Sequence, residues 1–433
     1  MTDFATACVR AGYEAGKGEP VNAPIVQSTT FRWETTEQVH ELFDLDNTEF
    51  FYSRIDNPTS NVAERHLSAL EGGVGAVMTS SGQAANQFAL LNILNTGDHV
   101  LCSKALYGGT INLFQNTLGR LGLESTFVDQ DSPLDELQKH IRPNTKAVFA
   151  ESISNPVIKV LDIEKFAQLA HTNHVPLIID NTFATPYFCR PFEFGADIIT
   201  HSTTKYLDGQ AVHVGGMVID SGNFDWQVAY EKTGKFAGLI EPDTTYKGMQ
   251  YVKTFGNQAY SVKMRQQLQR DYGATPAPWS AFLLDLGIKT LHVRMPRHAE
   301  NALALAQTLQ KHEKVQAVHY PALAGDEYYN LAQKYMPKGA SGVLAVEIKA
   351  QKAGESPRDA AGRFINALKL FNIEVHVADI RSCALHPASS THRQLTDDEL
   401  TAAGIAPGLV RLSVGLESAR DIVADVEQAL NAS

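Results

Sequence analysis

Between residues 76 and 219, short apolar segments alternate with amphipathic ones, and this alternation restricts the fold more than any other feature of the sequence. The apolar segments, such as Val175–Asp180 and Ile198–His201, have the length and composition of buried strands. The stretches between them, such as Gln83–Asn95, carry apolar residues at helical spacing. Short apolar strands separated by amphipathic helices form a mostly parallel sheet covered on both faces. The sequence therefore predicts an α/β fold.

This region predicts a seven-stranded sheet together with its crossover helices. We expect strands at Ala76–Met78, His99–Cys102, Glu124–Val128, Ala147–Glu151, Val175–Asp180, Ile198–His201 and Gly216–Ile219. We expect helices at Ser60–Glu71, Gln83–Asn95, Gly109–Leu121, Pro133–His140 and Ile163–His171. A chain of 433 residues is too long for one simple core, so more than one domain is expected. The prediction is an N-terminal arm at 1–60, a large domain at 61–260 and a C-terminal domain at 261–433.

The rest of the chain follows a different pattern. Residues 222–260 are rich in aromatic side chains but have few helix or strand signals, which favours a binding loop or a lid. A helix is predicted over Ala281–His312, kinked or split at Pro296. The C-terminal part predicts a smaller α+β domain with strands at Val315–His319, Val343–Ile348 and Val410–Leu416 and helices at Asp359–Leu370 and Ser418–Leu430.

Composition excludes several classes of protein. A net charge of −11 disfavours nucleic acid as a partner, because phosphate binding needs a clustered basic surface. No apolar stretch has the length of a membrane span, and the N-terminus lacks the basic-then-apolar order of a secretory signal. The four cysteines are scattered without a Cys-x-x-Cys pair, which favours reduced thiols in a cytoplasmic protein. Neither a Walker loop nor a G-x-G-x-x-G fingerprint is present, which disfavours NTPases and nicotinamide oxidoreductases.

Candidate functional residues follow the predicted strands, because ligands of open parallel sheets bind outside the carboxyl ends. Lys205 ends the turn after Ile198–His201, where its amine could act on a carbonyl group. A lysine that covers apolar surface and extends to solvent is the alternative. Asp180 directly follows Leu-Ile-Ile, so its carboxylate needs a cation or donors. Capping of the following turn by its own side chain is the alternative for Asp180.

Three further strand ends carry candidate groups. The turn Ser81-Gly82-Gln83 opens a helix, and its N–H groups could bind an anion, although helix capping by Ser81 explains the same residues. Tyr107 could lie against a planar ligand or simply pack in its turn. Asn155 could bind a ligand oxygen or only open the Asn-Pro turn. Taken together, a lysine, an acid, an aromatic face and an anion cradle match what pyridoxal phosphate requires.

Seven stretches spread along the chain carry a family resemblance. They are Tyr52-x-Arg54-x-x-Asn57-Pro58-Thr59, Ser80-Ser81-Gly82-Gln83-Ala84-Ala85, Leu106-Tyr107-Gly108-Gly109-Thr110, Asp180-Asn181-Thr182-Phe183-Ala184-Thr185-Pro186, His201-Ser202-x-Thr204-Lys205, His386-Pro387-Ala388-Ser389-x-Thr391-His392 and Val410-Arg411-Leu412-Ser413-Val414-Gly415. With them the chain resembles the cystathionine γ-synthase-like (Cys/Met metabolism) family of fold-type-I enzymes that depend on pyridoxal 5'-phosphate. The resemblance covers essentially the whole chain and implies an aspartate aminotransferase-like fold.

The resemblance assigns the cofactor contacts. It implies that Lys205 forms the Schiff base, Asp180 pairs with the ring nitrogen, and Tyr107 stacks on the ring and assists proton transfers. Asn155 is expected to bond the phenolic oxygen of the cofactor and to contact substrate. The phosphate is expected to be bound by residues of two turns: Ser81, Gly82, Gln83, Ser202 and Thr204.

Substrate binding and assembly are also implied by the resemblance. Arg411 is expected to bind the substrate α-carboxylate through its planar fork, with Arg381 as a second basic group. The resemblance implies that Tyr52 and Arg54 enter the site of a neighbouring subunit across a two-fold axis. It also implies a homotetramer, built from dimers with shared sites. His386 and His392 are not expected to bind a metal, because no partner has ligand spacing.

The resemblance implies γ-replacement, in which O-acetyl-L-homoserine and sulfide or a small thiol give L-homocysteine or methionine and acetate. Methionine γ-lyase, cystathionine γ-synthase or O-succinylhomoserine sulfhydrylase activity is the alternative, as is a non-catalytic ligand-binding protein of the same fold. Gly109 stands where methionine γ-lyases have cysteine, and the 222–260 insertion is typical of sulfhydrylases. Gln210, His376-Val377-Ala378 and Ser390 depart from the family's usual His, Asn-Val-Gly and Thr, so we expect substrate preference to depend on His376 and on 222–260.

Overall fold

The computed structural model describes residues 3–45, 49–391, 393, 396–402 and 404–432. Over these residues the chain forms a seven-stranded sheet and a five-stranded sheet, each with helices packed against it. The strands of the larger sheet are β1 (Gly75–Thr79), β2 (His99–Ser103), β3 (Glu124–Val128), β4 (Thr145–Glu151), β5 (Leu177–Asp180), β6 (Ile198–His201) and β7 (Gly216–Asp220). The mostly parallel seven-stranded sheet predicted from the sequence is confirmed.

The larger sheet has the strand order β1-β7-β6-β5-β4-β2-β3. Strand β7 runs antiparallel to both of its neighbours, whereas the other adjacent pairs are parallel. Parallel neighbours need a long crossover, usually a helix, and the segment between β6 and β7 contains only turns. The carboxyl ends of β1, β2, β4, β5 and β6 therefore lie along one edge of the sheet.

Helices before and between these strands end close to the positions expected from capping chemistry. The first eight are α1 (Phe4–Arg10), α2 (Thr36–Phe43), α3 (Pro58–Glu71), α4 (Gly82–Leu91), α5 (Gly108–Asn112), α6 (Leu134–Gln138), α7 (Ile163–Thr172) and α8 (Thr185–Phe188). In α3 the Asn57 side chain accepts from the N–H of Thr59, Pro58 occupies the first turn, and Gly72 ends the helix at a φ of 84°. The predicted helix after Gly108 continues beyond α5 as a π turn at Leu113–Leu118 and a 3₁₀ turn at Gly119–Leu121.

The expectation of a binding loop or lid at 222–260 is wrong. This segment forms α9 (Trp226–Thr233), α10 (Ala237–Ile240), α11 (Tyr251–Phe255) and the start of a helix that runs from α12 (Ala259–Lys263) through a π segment to α13 (Arg270–Tyr272). Its aromatic residues pack into the main core: the Trp226 ring stacks on Tyr260 with centroids 5.5 Å apart, and both side chains are buried. The aromatic content serves burial, because large apolar rings are most stable inside a core.

The next helix was predicted to kink or split at Pro296, and a split at that position is wrong. The chain forms α14 (Pro278–Lys289) and α15 (Leu291–Leu309), which meet at Thr290, and Pro296 lies inside α15. The buried Arg294 guanidinium stabilises the junction, since its Nη2 donates to the Gly287 carbonyl at 2.8 Å and its Nε donates to the Thr290 hydroxyl at 3.0 Å. The first bond gives a partner to a backbone carbonyl near the end of α14, where the last carbonyls lack an N–H donor from the same helix.

The smaller sheet has the order β10-β11-β12-β9-β8. Its strands are β8 (Val315–His319), β9 (Val343–Ile348), β10 (Asn372–Ile373), β11 (Cys383–Leu385) and β12 (Leu409–Ser413), and the accompanying helices are α16 (Tyr329–Tyr335), α17 (Pro357–Ala367), α18 (Asp397–Ala402) and α19 (Ala419–Ala432). A separate apolar cluster between this sheet, α15, α17 and α19 supports the predicted α+β character of this part. In the described ranges, no helix combines the length and apolarity that a bilayer crossing requires.

Candidate active site

A cavity of about 390 Å³ lies at the carboxyl edge of the larger sheet, where the segment 375–377 and Arg411 of the smaller sheet also reach it. Most of the residues singled out from the sequence line this cavity. They are Ser81, Gly82, Gln83, Tyr107, Asn155, Asp180, Ser202, Thr204, Lys205 and Arg411. The strand-end argument therefore selected groups that the fold brings together.

Lys205 follows β6 and directs its amine into the cavity instead of extending to solvent. Burial, and after it the positive charge of Arg411, lowers the pKa of its amine from 10.5 to about 8. The Nζ atom lies 3.4 Å from Nδ1 of His376. A lysine amine with a lowered pKa is partly unprotonated near neutral pH, so it can act as a nucleophile or base.

Asp180 ends β5, in register with Glu151 on β4 and Thr200 on β6. Its Oδ1 accepts from the backbone N–H and the hydroxyl of Thr182, at 3.0 and 2.5 Å. Its Oδ2 accepts from the Asn86 amide at 3.3 Å. The local turn expected for such an Asp is present, and the same carboxylate still faces the cavity. The two interpretations of Asp180 are compatible.

The amino end of α4 lies directly against the turn that precedes Lys205. Ser81 caps this helix by accepting from the N–H of Ala84 at 3.1 Å, while the first backbone N–H groups of a helix have no partner within it. A Cβ atom on Gly82 would lie 2.6 Å from Cβ of Ser202, so only glycine permits this approach. The result is a cradle with N–H donors from α4 and the hydroxyl of Ser202, which is suited to an anion. Thr204 also lines the cavity, where its hydroxyl donates to the carbonyl of Gly215 at 3.1 Å.

Tyr107 precedes α5, and its ring is 44% exposed at the cavity. Its backbone N–H donates to Oε1 of Glu151 at 2.7 Å. Glu151 is buried, and burial raises the pKa of its carboxyl well above the ordinary 4.5, with a smaller contribution from the charge of Asp180. The ring of Tyr107 is thus presented to the cavity from a backbone that a buried carboxyl group anchors.

Arg411 lies on β12 and crosses from the smaller sheet into the cavity. It is 4% exposed, and burial lowers the pKa of its guanidinium to about 10. Its Nη1 donates to Oδ1 of Asn155 at 3.0 Å, and its Nη2 donates to the carbonyl of His376 at 3.0 Å. Its Nε has no hydrogen-bond partner, and no carboxylate of the described residues lies within 4.0 Å of the guanidinium. A buried cation without an anion is a strong candidate for binding one.

Three predicted residues do not line the cavity of this single chain. Tyr52 and Arg54 lie together on the surface, with the guanidinium carbon 5.1 Å from the ring centroid, so their entry into a neighbouring site stays a prediction. Arg381 pairs with Asp379 at 3.1 Å and donates to the carbonyl of Gln210 at 2.8 Å. Its role in substrate binding also stays a prediction.

His386 and His392 are the two histidines that the sequence analysis considered as metal ligands. His386 bonds to the carbonyl of Pro407 and the hydroxyl of Ser389, at 2.9 and 2.7 Å. His392 lies outside the described residues. Across the described ranges, no group of three or more His, Cys, Asp or Glu side chains is arranged to hold a metal ion. All four cysteines are buried and free.

Sequence reasoning gave no role to several residues that line the cavity: Asn86, Thr110, Glu151, Ile153, Thr182, Phe183, Val214, Val375 and Val377. Two of them carry a signal in the sequence. Glu151 ends a buried strand, so the criterion that selected Asp180 also applies to it. Asn86 follows Gln83 by three positions in α4, which places both on one helix face.

These groups fit pyridoxal 5'-phosphate. The cradle at α4 suits its phosphate, the carboxylate of Asp180 suits a protonated ring nitrogen, and the amine of Lys205 suits its aldehyde. Two buried amide oxygens in the same cavity, Oε1 of Gln83 and Oδ1 of Asn86, have no hydrogen-bond partner within the described part of the chain. The site therefore has polar groups to offer a ligand that the chain itself does not satisfy.

The comparisons with known proteins agree with this chemistry. A family model described as Cys/Met metabolism PLP-dependent enzyme matches residues 5–431. The chain belongs to this family. It is 42% identical to the O-acetyl-L-homoserine sulfhydrylase of Leptospira meyeri over 416 residues, which are 94% of this chain and 91% of that protein. It is 42% identical to the homocysteine synthase of Schizosaccharomyces pombe over 429 residues, 99% and 98% of the two chains.

The structure also matches a crystal structure from Campylobacter jejuni described as an O-acetylhomoserine (thiol)-lyase. The TM-score is 0.93 at 37% identity, and the match covers 99% of this chain and 100% of that one. That crystal structure contains N'-pyridoxyl-lysine-5'-monophosphate. This member of the Cys/Met metabolism family is a PLP-dependent enzyme, and the family, the fold class and the cofactor predicted from its sequence are confirmed.

Proposed function

We propose that this enzyme catalyses γ-replacement, in which O-acetyl-L-homoserine and sulfide, or a small thiol, give L-homocysteine, or methionine, and acetate. The names of the relatives, O-acetyl-L-homoserine sulfhydrylase and homocysteine synthase, support this substrate class. The observation that carries the proposal is the buried guanidinium of Arg411, which faces the same cavity as Lys205 and has no described carboxylate partner. An α-amino acid supplies the missing anion through its carboxylate.

The proposed roles of the chain's own residues follow from their positions. Arg411 binds the substrate carboxylate through its fork, and Asn155 orients that fork by accepting from Nη1. Lys205 takes the α-proton, removes a proton from Cβ before acetate leaves and returns one there after the thiol has added at Cγ, because its lowered pKa lets the amine act in both directions near neutral pH. The hydroxyl of Tyr107, which faces the cavity, assists these proton transfers.

Pyridoxal 5'-phosphate, when bound, supplies an electron sink conjugated to the substrate amine. We propose that Asp180 holds a proton on its ring nitrogen, and that the hydrogen bonds from Thr182 and Asn86 keep this carboxylate in place. The α4 cradle, formed by residues Ser81, Gly82, Gln83, Ser202 and Thr204, binds the phosphate. The Tyr107 ring covers one face of the cofactor, and Asn155 reaches its phenolic oxygen.

We propose a homotetramer, assembled from dimers that share active sites, in the cytoplasm. The surface position of Tyr52 and Arg54 supports sharing, because polar side chains outside their own cavity are available to a second chain. Both residues contact cofactor or substrate in the neighbouring subunit, and Arg381 is a second basic group for substrate. We also propose the division into an arm at 1–60, a large PLP-binding domain at 61–260 and a C-terminal domain at 261–433. The second apolar cluster, whose residues begin at Ala302, supports a separate core in the C-terminal domain.

The test replaces Lys205 with Ala and follows both the visible absorbance of the bound cofactor and product formation. Loss of the absorbance band and of activity together is expected, because the amine is needed for both. Products of the wild-type enzyme are then compared for the acetyl and succinyl esters, each with and without sulfide. Homocysteine from the acetyl ester with sulfide is expected, whereas an α-keto acid and ammonia formed without thiol would indicate a lyase. Retained activity in the Lys205→Ala variant would refute the assignment.

A further inference from the structure

His376 is a titratable residue of the cavity wall for which the proposed function has no role. Its ring lines the cavity, with the side chain 19% exposed. Its Nδ1 lies 3.4 Å from Nζ of Lys205, at the long end of hydrogen-bond distance. The ring therefore contacts the amine on which the reaction depends.

The other ring nitrogen faces a carboxylate. Nε2 of His376 lies 3.6 Å from Oδ2 of Asp379, a distance that makes the contact electrostatic and longer than a hydrogen bond. Asp379 is 2% exposed, and its carboxylate also accepts from the backbone and side chain of Arg381. The Asp379 carboxylate accepts hydrogen bonds, so a neutral ring carries its proton on Nε2, which faces that carboxylate. The Nδ1 lone pair then faces Lys205, whose ammonium donates.

Two hydrogen bonds with residues of β12 fix the backbone around the His376 ring. The carbonyl of His376 accepts from Nη2 of Arg411 at 3.0 Å. Two residues later, the N–H of Ala378 donates to the Ser413 hydroxyl at 2.8 Å, and the φ of Ala378 is +68°. A non-glycine residue in this left-handed region is tolerated only where its surroundings impose the conformation. The ring thus stands on a fixed backbone, and its contact with Lys205 is set by the fold.

The charges around the ring favour its neutral form. Burial lowers the pKa of His376 below 6.5, and the positive charge of Lys205 lowers it further. Asp379 and Glu374 act in the opposite direction, and Arg381 adds a smaller lowering. Lys205 itself faces Arg411, which lowers the pKa of its amine, and Cys383 and Asp379, which raise it. An unprotonated ring at neutral pH can accept a hydrogen bond from the amine.

We propose that His376 is a positioning residue for Lys205: its neutral ring accepts a hydrogen bond from the amine and holds it in the cavity. The inference rests on the proposed role of Lys205 in the reaction. When Lys205 is protonated, the bond stabilises the ammonium and partly offsets the effect of burial. When Lys205 is unprotonated, the same bond occupies one N–H group and leaves the lone pair directed elsewhere in the cavity.

The test compares two substitutions that separate the acceptor from the shape of the ring. His376→Phe keeps a ring but removes the acceptor, whereas His376→Asn is smaller and keeps an acceptor oxygen. In full-length protein freed of cofactor, the rate of pyridoxal 5'-phosphate capture is followed by visible absorbance across pH. The unprotonated amine of Lys205 is the nucleophile, so the midpoint of this profile reports its pKa. This readout needs no substrate and no turnover.

The expected result is a midpoint for His376→Phe that lies lower than that of the wild type by about one pH unit or more, since an ammonium loses an acceptor. His376→Asn is expected to stay within a few tenths of a unit of the wild type. His319→Asn serves as the matched control, because His319 pairs with Glu347 on the smaller sheet and does not line the cavity. It is expected to leave the profile unchanged.

Two results would overturn the inference. An unchanged or raised midpoint in His376→Phe would show that the ring does not act as an acceptor for Lys205. A lowering in His376→Asn as large as that in His376→Phe would show that an acceptor at this position does not set the pKa of Lys205. Failure of the wild-type protein to capture pyridoxal 5'-phosphate would instead refute the proposed function, and the inference with it, so the two failures are distinguishable.

Discussion

The first prediction concerns Glu151 and the effect of its burial on the stability of the folded protein. This buried carboxyl group lies beside Asp180 in the register of β4 and β5, and it accepts the backbone N–H of Tyr107 at 2.7 Å. Burial, with help from the charge of Asp180, raises its pKa well above 4.5. Substitution by Gln keeps an acceptor oxygen for Tyr107 and removes the ionisation.

The sign of the pH effect follows from proton binding. In the unfolded chain Glu151 ionises near pH 4.5, whereas in the folded protein it keeps its proton to higher pH. The folded state therefore binds more protons above pH 4.5, so the contribution of Glu151 to stability is fully present below that pH and falls as the pH rises toward the raised pKa. Each pH unit in this window reduces the free energy of unfolding by about 1.4 kcal/mol.

The Glu151→Gln variant does not ionise at this position, so its free energy of unfolding does not fall with pH for this reason. Its free energy of unfolding is expected to match the wild type near pH 4.5 and to exceed it by a margin that grows as the pH rises toward the raised pKa of Glu151. The assay is denaturant unfolding of the cofactor-free protein at pH 5, 6 and 7. Glu427→Gln, on an exposed face of α19, is the matched control and is expected to show no such trend.

A second substitution tests the anchoring of Tyr107. Glu151→Leu removes the acceptor and is expected to destabilise the protein by about 1–3 kcal/mol at pH 5, because a backbone N–H is left unpaired. Parallel pH curves for the wild type and Glu151→Gln would refute the argument, since they would show that Glu151 ionises in the folded protein as it does in the unfolded chain.

Two further predictions concern the backbone and the assembly. Ala378→Gly is expected to change the free energy of unfolding by less than about 1 kcal/mol, because relief of the φ of +68° is offset by the loss of a buried methyl group and by the freer unfolded chain; a loss of more than about 2 kcal/mol would contradict this. Arg54→Ala and Lys205→Ala are each expected to be inactive, yet co-expression is expected to restore about a quarter of wild-type activity through mixed dimers with one intact site. A mixture that stays inactive would exclude a site shared through Arg54.

Much of the larger sheet could be predicted because its signals are local. The strands at Glu124–Val128 and Ile198–His201 were predicted with the bounds that the structure has, since apolar composition and turn residues mark both ends. Pro296 misled the prediction, because proline disfavours a helix interior but tertiary contacts of Arg294 placed the break at Thr290.

Sequence alone determined which chemical groups stand at the strand ends. Lys205, Asp180, Asn155, Tyr107 and the turn at Ser81 follow predicted strands, and the carboxyl ends of parallel strands share one edge of a sheet. Their convergence on one cavity could therefore be inferred from topology without knowledge of any distance between side chains.

Only the tertiary structure decided which residues of the C-terminal part reach the cavity at that edge. Arg411 reaches Asn155 across 256 positions of sequence, and His376 reaches Lys205 across 171. Both contacts depend on how the smaller sheet packs against the larger one, which no local pattern encodes. The raised pKa of Glu151 and the lowered pKa of Arg411 have the same origin, because burial is a property of the packed molecule.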